Sequence, residues 1–332
     1  MRKIINFEKK PYIISSAAVG GREEKEGPLG NFFDFTDESD RFGKDTWEKA
    51  EGEMGRLSLS FALKKASVEP KDIDVLFAGD LENQCVASSG GLYSFGIPYI
   101  GLYSACSTCT EALLLLSNMI SSGAVDIGAT VTTSHNSAAE RQFRTPIEYG
   151  AQRTPTSQWT ATAAGAFILS GSKKSDIYIN DGMVGKIVDG LTTDGSNMGS
   201  AMARAAFDTI YTYLSLSKNK IEDFDAIFTG DLGRIGSEIL RELLSEKFKS
   251  AAKIHRDCGT MLYDMNKKNV NSGASGCGCS ASVLASFILP EMKMGNLRNV
   301  LFLSTGALMS PSSILQGENI LGIAPIINIK RG

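Results

Sequence analysis

Two stretches of the sequence, one in each half of the chain, repeat one pattern and limit the possible folds more than any other feature. The first reads DIDVLFAGDL from Asp72, and the second reads DFDAIFTGDL from Asp223. Each follows an amphipathic segment, at residues 57–66 and 205–216, and a polar turn, and each is typical of a short buried strand ending in Gly-Asp. A repeat of a helix, turn and strand unit indicates an internally duplicated fold.

Strands and helices continue to alternate after both copies. A strand, a helix that begins near Cys106 and another strand follow the first copy, and helices, a Gly-rich turn and the strand NVLFLS follow the second. This alternation favours parallel or mixed α/β sheets covered by helices. We therefore predict two similar α/β halves, residues 1–170 and 171–332, that share one compact body.

Composition limits the class of protein. Lysine and arginine number 34 against 37 acidic residues, so the formal net charge of −3 gives no basic field for nucleic acid or an anionic membrane. The first residues contain no apolar run typical of a signal peptide, and no later window resembles a membrane span. Six cysteines in so long a chain do not suggest a secreted disulfide framework. We expect an intracellular protein in a reducing compartment.

The stretch GLYSACSTCTEALLLL predicts a strand that runs into a buried helix with Cys106 in its first turn. Free backbone N–H groups and the helix dipole at that position lower the pKa of a thiol and attract carboxylates. A nucleophile, an anion site and a small residue at a tightly packed contact all fit this position.

Two other interpretations of the cysteines are weaker. Cys106 and Cys109 have the spacing of a redox pair, but no Trp precedes them and no Pro lies between them. A zinc site would need both of these and also Cys277 and Cys279, in the Cys-x-Cys of the Gly-rich turn. We predict no metal ligand set.

The duplicated architecture and the motif STCTEAL after Cys106 resemble the thiolase superfamily, which includes the ketoacyl synthases. The resemblance implies a layered αβαβα fold and a cysteine nucleophile, which Cys106 matches. It also implies an activating histidine after a second-half strand, but that position falls on Gly230 or Asp231, and neither provides an imidazole. The turn SGASGCGCSAS places Cys277 or Cys279 in the third position of the family's site.

Eight local strings resemble a narrower family, the stage V sporulation protein AD family of spore-forming bacteria. They are KEGPLG, AGDLENQ, ACST, TSHNSAAERQFRTPIEYG, MGSAMA, TGDL, SGCGCS and STGALMSP, and they run from Lys25 to Pro311. The resemblance implies non-enzymatic binding of dipicolinic acid (pyridine-2,6-dicarboxylic acid), with calcium left open as an accompanying ion and no cofactor. It further implies a role in dipicolinate uptake into the forespore and release in germination.

The same resemblance implies the partners and the location. Membrane subunits of the same transport system would form the passage, and this chain would associate peripherally with the forespore or spore inner membrane. Thiolase-like relatives imply a homodimer.

Dipicolinate is a flat dianion, so its site needs hydrogen-bond donors and a surface for the ring. Polar and cationic candidates follow a predicted strand end, where ligands bind in open α/β sheets: His135, Asn136, Arg141 and Arg144. Arginine is the natural bidentate partner of a carboxylate. Alternatively, the two arginines form a solvated ion-pair face with Glu140.

Two aspartates and three cysteines complete the candidate ligand-binding set. Asp80 and Asp231 close the repeated strands, so pseudo-twofold symmetry should place both near the floor of a shared pocket. Their repetition, however, favours a structural role in capping the next helix. Cys106, Cys277 and Cys279 are the remaining candidates.

Two functions therefore compete. In the first, the chain binds an aromatic dicarboxylate without catalysis. In the second, it is an acyl-thioester transferase or condensing enzyme in which Cys106 is acylated and His255 or His135 acts as the base. The missing imidazole at positions 230 and 231 favours the first.

Overall fold

A computed structural model describes residues 2–143, 153–267 and 270–332. Its strands, numbered in chain order, are β1 (Ile5–Asn6), β2 (Tyr12–Gly20), β3 (Phe35–Thr36), β4 (Val75–Gly79), β5 (Tyr99–Gly101), β6 (Ile127–Ser134), β7 (Trp159–Thr160), β8 (Ala163–Ser170), β9 (Ile177–Met183), β10 (Val188–Asp189), β11 (Ala226–Thr229), β12 (His255–Asp257), β13 (Ala274–Ser275), β14 (Asn299–Leu303), β15 (Gly306–Leu308), β16 (Leu321–Ile323) and β17 (Ile326–Arg331).

The helices connect these strands and cover them. They are α1 (Arg22–Glu26), α2 (Trp47–Ala66), α3 (Val86–Leu92), α4 (Thr108–Ser121), α5 (Asn136–Phe143), α6 (Met198–Leu216), α7 (Gly233–Lys247), α8 (Lys249–Ile254), α9 (Cys258–Leu262), α10 (Cys277–Val283), α11 (Leu289–Met294) and α12 (Pro311–Leu315). A π-helical turn (Leu284–Ile288) joins α10 to α11.

The strand order repeats in the two halves. The first half runs β5-β4-β6-β8-β2 and the second runs β12-β11-β14-β17-β9. In both, the first three strands are parallel to one another. The fourth strand is antiparallel to the third, and the fifth is antiparallel to the fourth. The repeated sequences form β4 and β11, which occupy equivalent positions. The predicted α/β fold with two similar sheets is confirmed.

Five layers account for the burial of these strands. Helices α4 and α10 lie between the two halves and pack on both, with Leu113, Leu116 and Val283 in the main core. Helix α2 covers the outer face of the first half, and α6 and α7 cover that of the second. Because helices cover both faces, β4 and β11 are buried at every position, which explains their unbroken apolar sequences.

Close packing of the central helix requires glycine on β8. A Cβ at Gly165 would come within 2.5 Å of the Ala281 carbonyl group, so any larger residue would push α10 off the sheet. No helix within the described ranges combines the length and the apolar surface that a bilayer crossing requires.

Candidate functional site

A cavity of about 450 Å³ lies beyond the carboxyl ends of the first-half strands. This volume is within the range of small-molecule sites. Its walls are largely apolar, and its floor carries thiol and hydroxyl groups. The lining side chains and glycine are Leu81, Tyr103, Ala105, Cys106, Ala139, Glu140, Phe143, Thr160, Gly195, Met198, Ser275, Ala307, Leu308, Met309, Ser310 and Ser313.

Cys106 lies at the floor of this cavity. After β5 the chain reaches a single helical turn (Ala105–Ser107) that leads into α4, and Ala105 adopts a left-handed backbone with φ of 49°. That conformation is unfavourable for a residue with a Cβ, so the surrounding packing must hold it. The turn leaves Cys106 7% exposed, with its sulfur on the cavity side.

The Cys106 thiol is neutral at physiological pH. Burial raises its pKa well above the ordinary value, and the nearby carboxylate of Asp231 raises it further. Contacts with the Gly276 N–H and the Ser275 hydroxyl oppose this shift without reversing it. The sequence predicted a lowered pKa from the helix N-terminus, but burial and Asp231 outweigh that effect.

Asp231 organises the floor from behind Cys106. Its Oδ1 accepts a hydrogen bond from Thr305 Oγ1 at 2.8 Å, and its Oδ2 accepts from Gly276 N at 2.9 Å and Ser275 Oγ at 3.1 Å. Burial raises the pKa of Asp231 to about 6. Strands β7 and β13 pair in register, which brings Thr160 beside Ser275 at the same floor.

His135 faces away from this floor. Its Nε2 donates to the backbone carbonyl of Asp40 at 2.8 Å, its Nδ1 accepts from the Ser137 N–H at 3.1 Å, and its ring packs on Trp47. Burial lowers its pKa to about 4. Among the described residues, His135 does not line the cavity, because these contacts hold its ring against the loop at Asp40.

His255 is equally remote from the cavity lining. It lies on the edge strand β12, where its Nε2 is 2.8 Å from Thr229 Oγ1 and its Nδ1 accepts from Arg241 Nε at 3.2 Å. Burial lowers its pKa to about 3. The chain's two histidines are both within the described residues, and neither is placed as a base for Cys106.

The polar candidates on α5 are engaged elsewhere. Asn136 Nδ2 donates to the Thr160 carbonyl at 3.2 Å. Arg141 forms an ion pair with Glu48, and its side chain is 54% exposed. The solvated ion-pair alternative fits Arg141 only in part, because its partner is Glu48 and not Glu140, which is buried and pairs with Arg153. Arg144 lies outside the described residues.

The remaining candidates adjoin the floor without lining it. Asp80 Oδ2 accepts from the Ser88 N–H at 2.7 Å and from Ser88 Oγ at 2.6 Å, so Asp80 caps α3. Cys277 Sγ donates to the Thr133 carbonyl at 2.8 Å and packs in one cluster with Cys106. Cys279 faces the main core, where Sγ lies 3.6 Å from the Gly230 carbonyl.

The cysteines of this chain, all within the described ranges, form no disulfide. All six cysteines carry free thiols. Within the described ranges, no group of three or more His, Cys, Asp or Glu side chains is placed to hold a metal ion.

The sequence did not point to several lining residues. Glu140 accepts from Thr160 Oγ1 at 3.2 Å and pairs with Arg153 at 3.3 Å, and the Arg153 guanidinium stacks on Trp159. Met309 closes one side from the chain after β15. The Gly-rich turn was a signal for Ser275, whereas no sequence pattern singles out Met309.

Comparisons with known proteins agree with this architecture. The sequence model described as Stage V sporulation protein AD matches residues 1–330. The protein of that name from Bacillus subtilis (strain 168) is 39% identical over 318 residues, which cover 96% of this chain and 94% of that protein.

Solved structures share the fold at low sequence identity. OleA from Xanthomonas campestris bound to acetamide superposes with a TM-score of 0.62 and 13% identity, over 97% of this chain and 100% of that chain. The 3-oxoacyl-[acyl-carrier-protein] synthase III from Aquifex aeolicus superposes with a TM-score of 0.60 and 13% identity, over 96% and 99%. The chain has a thiolase-like fold.

Proposed function

The chain belongs to the stage V sporulation protein AD family, and we propose that it binds dipicolinic acid in the Cys106 cavity without catalysing a reaction. In this role it would serve dipicolinate uptake into the forespore and release in germination. The observation that carries the proposal is a small-molecule cavity whose floor holds a neutral cysteine and, among the described residues, no histidine.

The cavity fits a flat aromatic acid chemically. Phe143 and Tyr103 offer ring faces on the walls, against which an aromatic ligand can stack. The Ser275 and Thr160 hydroxyls donate to Asp231 and Glu140 in the free protein, so they serve a ligand carboxylate by exchanging these partners, and the Cys106 thiol is a third donor at the floor. Size, ring surface and donors thus support a small planar ligand.

Charge balance supports calcium as the accompanying ion. The described lining contains no lysine or arginine, and it includes the Glu140 carboxylate. The nearby Arg153 guanidinium is paired with Glu140, so a free dianion would meet hydrogen-bond donors here but no lysine or arginine in the described lining. We therefore propose that dipicolinate enters as its calcium complex, in which calcium is cargo and neutralises the two carboxylates.

The same floor argues against thioester chemistry. A cysteine nucleophile needs a base within hydrogen-bond reach, and the residue beside Cys106 is the carboxylate of Asp231, which raises the thiol pKa. Both histidines are held elsewhere. The alternative of an acyl-thioester transferase rests on the fold shared with synthases.

The proposal also includes a homodimer and its association with membrane subunits. Strand β5 forms the outer edge of the first-half sheet, and its Tyr99 and Ile100 are 39% and 41% exposed. Antiparallel pairing of this edge with a second copy would satisfy its free backbone groups and form a symmetric homodimer. Membrane subunits of the same system would hold the protein peripherally at the forespore or spore inner membrane.

Calorimetric titration of the purified protein with dipicolinate, with and without calcium, tests the proposal. Pyridine-3,5-dicarboxylate is the geometric control. We expect saturable binding of dipicolinate, tighter with calcium, and no binding of the control. Cys106→Ala should keep the fold and weaken binding by about 1 kcal/mol, since it removes a floor donor.

Two results would contradict this function. Unchanged affinity in Cys106→Ala would move the ligand away from this floor. Absence of heat and of a thermal shift, together with a stable acyl adduct on Cys106 after incubation with an acyl-coenzyme A, would favour the transferase. Mass spectrometry of the Cys106 peptide provides that second measurement.

A further inference from the structure

Three carboxyl groups are buried together behind one wall of the cavity. Glu51 belongs to α2, and Asp80 and Glu82 flank Leu81 in the loop between β4 and α3. Their exposed fractions are 1%, 0% and 2%. So dense a group of acids in a core requires an explanation, because each isolated buried charge is costly.

Hydrogen bonds account for only part of this acidic cluster. Asp80 is satisfied by Ser88 and by the Glu82 N–H at 2.8 Å, and Glu51 Oε1 accepts from Thr133 Oγ1 at 2.9 Å. Neither Glu51 Oε2 nor Glu82 Oε1 accepts from a described N–H or alcohol O–H donor. The carboxyls of Glu51 and Glu82 lie close enough to interact, and two buried carboxyls tolerate such a contact only when at least one of them carries a proton.

The surroundings favour that proton. Burial raises the pKa of Glu51 well above its ordinary value and that of Glu82 to about 7, and Asp80 raises both further. Among the described residues, the other titratable groups around the cluster are the thiols of Cys85 and Cys277 and the phenols of Tyr99 and Tyr103. None of these groups is a cation, so a proton is what neutralises the pair.

The loop that carries Glu82 is also a wall of the cavity. Leu81 lines the cavity and packs in one cluster with Cys106. Asn83 joins the other walls, because its Oδ1 accepts from Tyr103 at 3.3 Å and its N–H donates to Gln142 of α5 at 3.2 Å. Further along, Gln84 and Cys85 have φ of 63° and 50°, a left-handed conformation that needs outside support.

We propose that Glu51 and Glu82 are positioning residues for the cavity, and that a protonated Glu82 holds the loop at residues 80–85 closed against the ligand site. Ionisation of Glu82 places a buried carboxylate beside Asp80, and the loop loosens. This role rests on the proposed function only for the identity of the ligand, since the loop and the cavity are properties of the free protein.

The direction of the pH effect follows from linkage. The closed loop keeps a proton that a solvated glutamate loses near its ordinary pKa of 4.5, so opening releases it. Opening therefore becomes easier as the pH rises from about 4.5 to about 7, where Glu82 of the closed state also ionises. For this one group, the opening equilibrium increases about tenfold between about pH 6 and about pH 8.

Hydrogen exchange of the full ligand-free chain measures this opening directly. Peptides that cover residues 76–92 are followed at about pH 6 and about pH 8, with rates corrected for intrinsic exchange. The wild type should show about tenfold less protection at the higher pH. Glu82→Gln keeps the size of the side chain but has no proton to lose, so the change of its corrected protection with pH should largely disappear.

A matched control separates this pair from buried acids in general. Asp181 on β9 is 4% exposed, has a pKa raised by burial, and accepts from Tyr213 at 2.7 Å. Asp181→Asn should leave the pH dependence of peptides 76–92 as in the wild type. If Glu82→Gln fails to fold, Glu51→Gln provides the same test from α2.

The outcomes are distinct. Equal protection of the wild-type loop at both pH values, or an undiminished pH effect in both glutamine variants, would overturn the proposal. Calorimetry with calcium and dipicolinate at the same two pH values tests the function separately. A loop whose protection depends on pH, without heat of binding, would support the positioning role and contradict the proposed ligand. Heat of binding with a loop whose protection does not depend on pH would support the ligand and contradict the positioning role.

Discussion

The Gly-Asp pair at the end of each repeated strand has the same backbone position in both halves, but the two aspartates have different roles. In the first half, Asp80 caps the following helix α3 through Ser88. In the second half, Asp231 turns to the cavity floor beside Cys106. The N-terminus of α7 is capped by Asp257 of β12 instead, which accepts from the Leu232 and Gly233 N–H groups at 2.9 Å each.

This difference shows how a duplicated fold acquires a single site. The capping requirement persists in both halves, because a helix end leaves N–H groups without partners. Once a neighbouring strand supplies the cap, the aspartate at the repeat position is free for another role. The second half can then contribute this aspartate to the floor of a cavity that residues of both halves line.

The largest expected effect comes from removing Asp257, which caps α7 where the repeat would place Asp231. Asp257→Ala would leave the Leu232, Gly233 and Thr260 N–H groups and the Thr229 hydroxyl without their acceptor. We expect the free energy of unfolding to fall by about 3 to 5 kcal/mol, measured by chemical denaturation.

The equivalent substitution in the first half, at Asp80, should lower the free energy of unfolding by less. Asp80→Ala also loses a cap, but it removes one charge from the acidic cluster at Glu51 and Glu82, so we expect a loss of about 1 to 2 kcal/mol. Equal losses in the two variants would mean that relief of the acidic cluster does not offset the lost cap.

The next effect in size concerns the reactivity of the Cys106 thiol rather than the stability of the fold. Asp231→Asn keeps the side chain's size and removes the negative charge beside Cys106, so the pKa of the thiol should fall. We expect alkylation of Cys106 by iodoacetamide at about pH 8 to accelerate about three- to tenfold, since each pKa unit is a factor of ten in thiolate. Quantitative mass spectrometry of the Cys106 peptide measures this rate.

Asp80→Asn is the control for that measurement, because it makes the same change at the equivalent repeat position. It should leave Cys106 alkylation close to the wild-type rate. An unchanged rate in Asp231→Asn would show that burial alone protects the thiol and that Asp231 serves only the structure of the floor.

The smallest expected effect is at Arg141, which the sequence placed among the ligand contacts. An exposed ion pair with Glu48 contributes little, so Arg141→Ala should change the free energy of unfolding by less than about 0.5 kcal/mol. Calorimetry with calcium and dipicolinate should show an unchanged dissociation constant. A clear loss of affinity would mean that Arg141 leaves Glu48 to contact the ligand.

Much of the framework could be predicted because it depends on local sequence. The repeated strands, the helix after Cys106 and the absence of an imidazole at positions 230 and 231 follow from strings of adjacent residues. The strand order could be expected from the duplication. The orientation of His135 could not, because its ring direction is set by contacts with Asp40 and Trp47, far away in sequence.

The sequence by itself determined a duplicated α/β fold, its family and a cysteine at the start of a central helix. Only the tertiary structure decided that Asp231 meets Ser275, Gly276 and Thr305 beneath Cys106. The physical reason is that a thiol's pKa and a carboxyl's proton depend on burial and on charges brought together from distant segments. Local sequence specifies the backbone turn, while long-range packing specifies what each side chain faces.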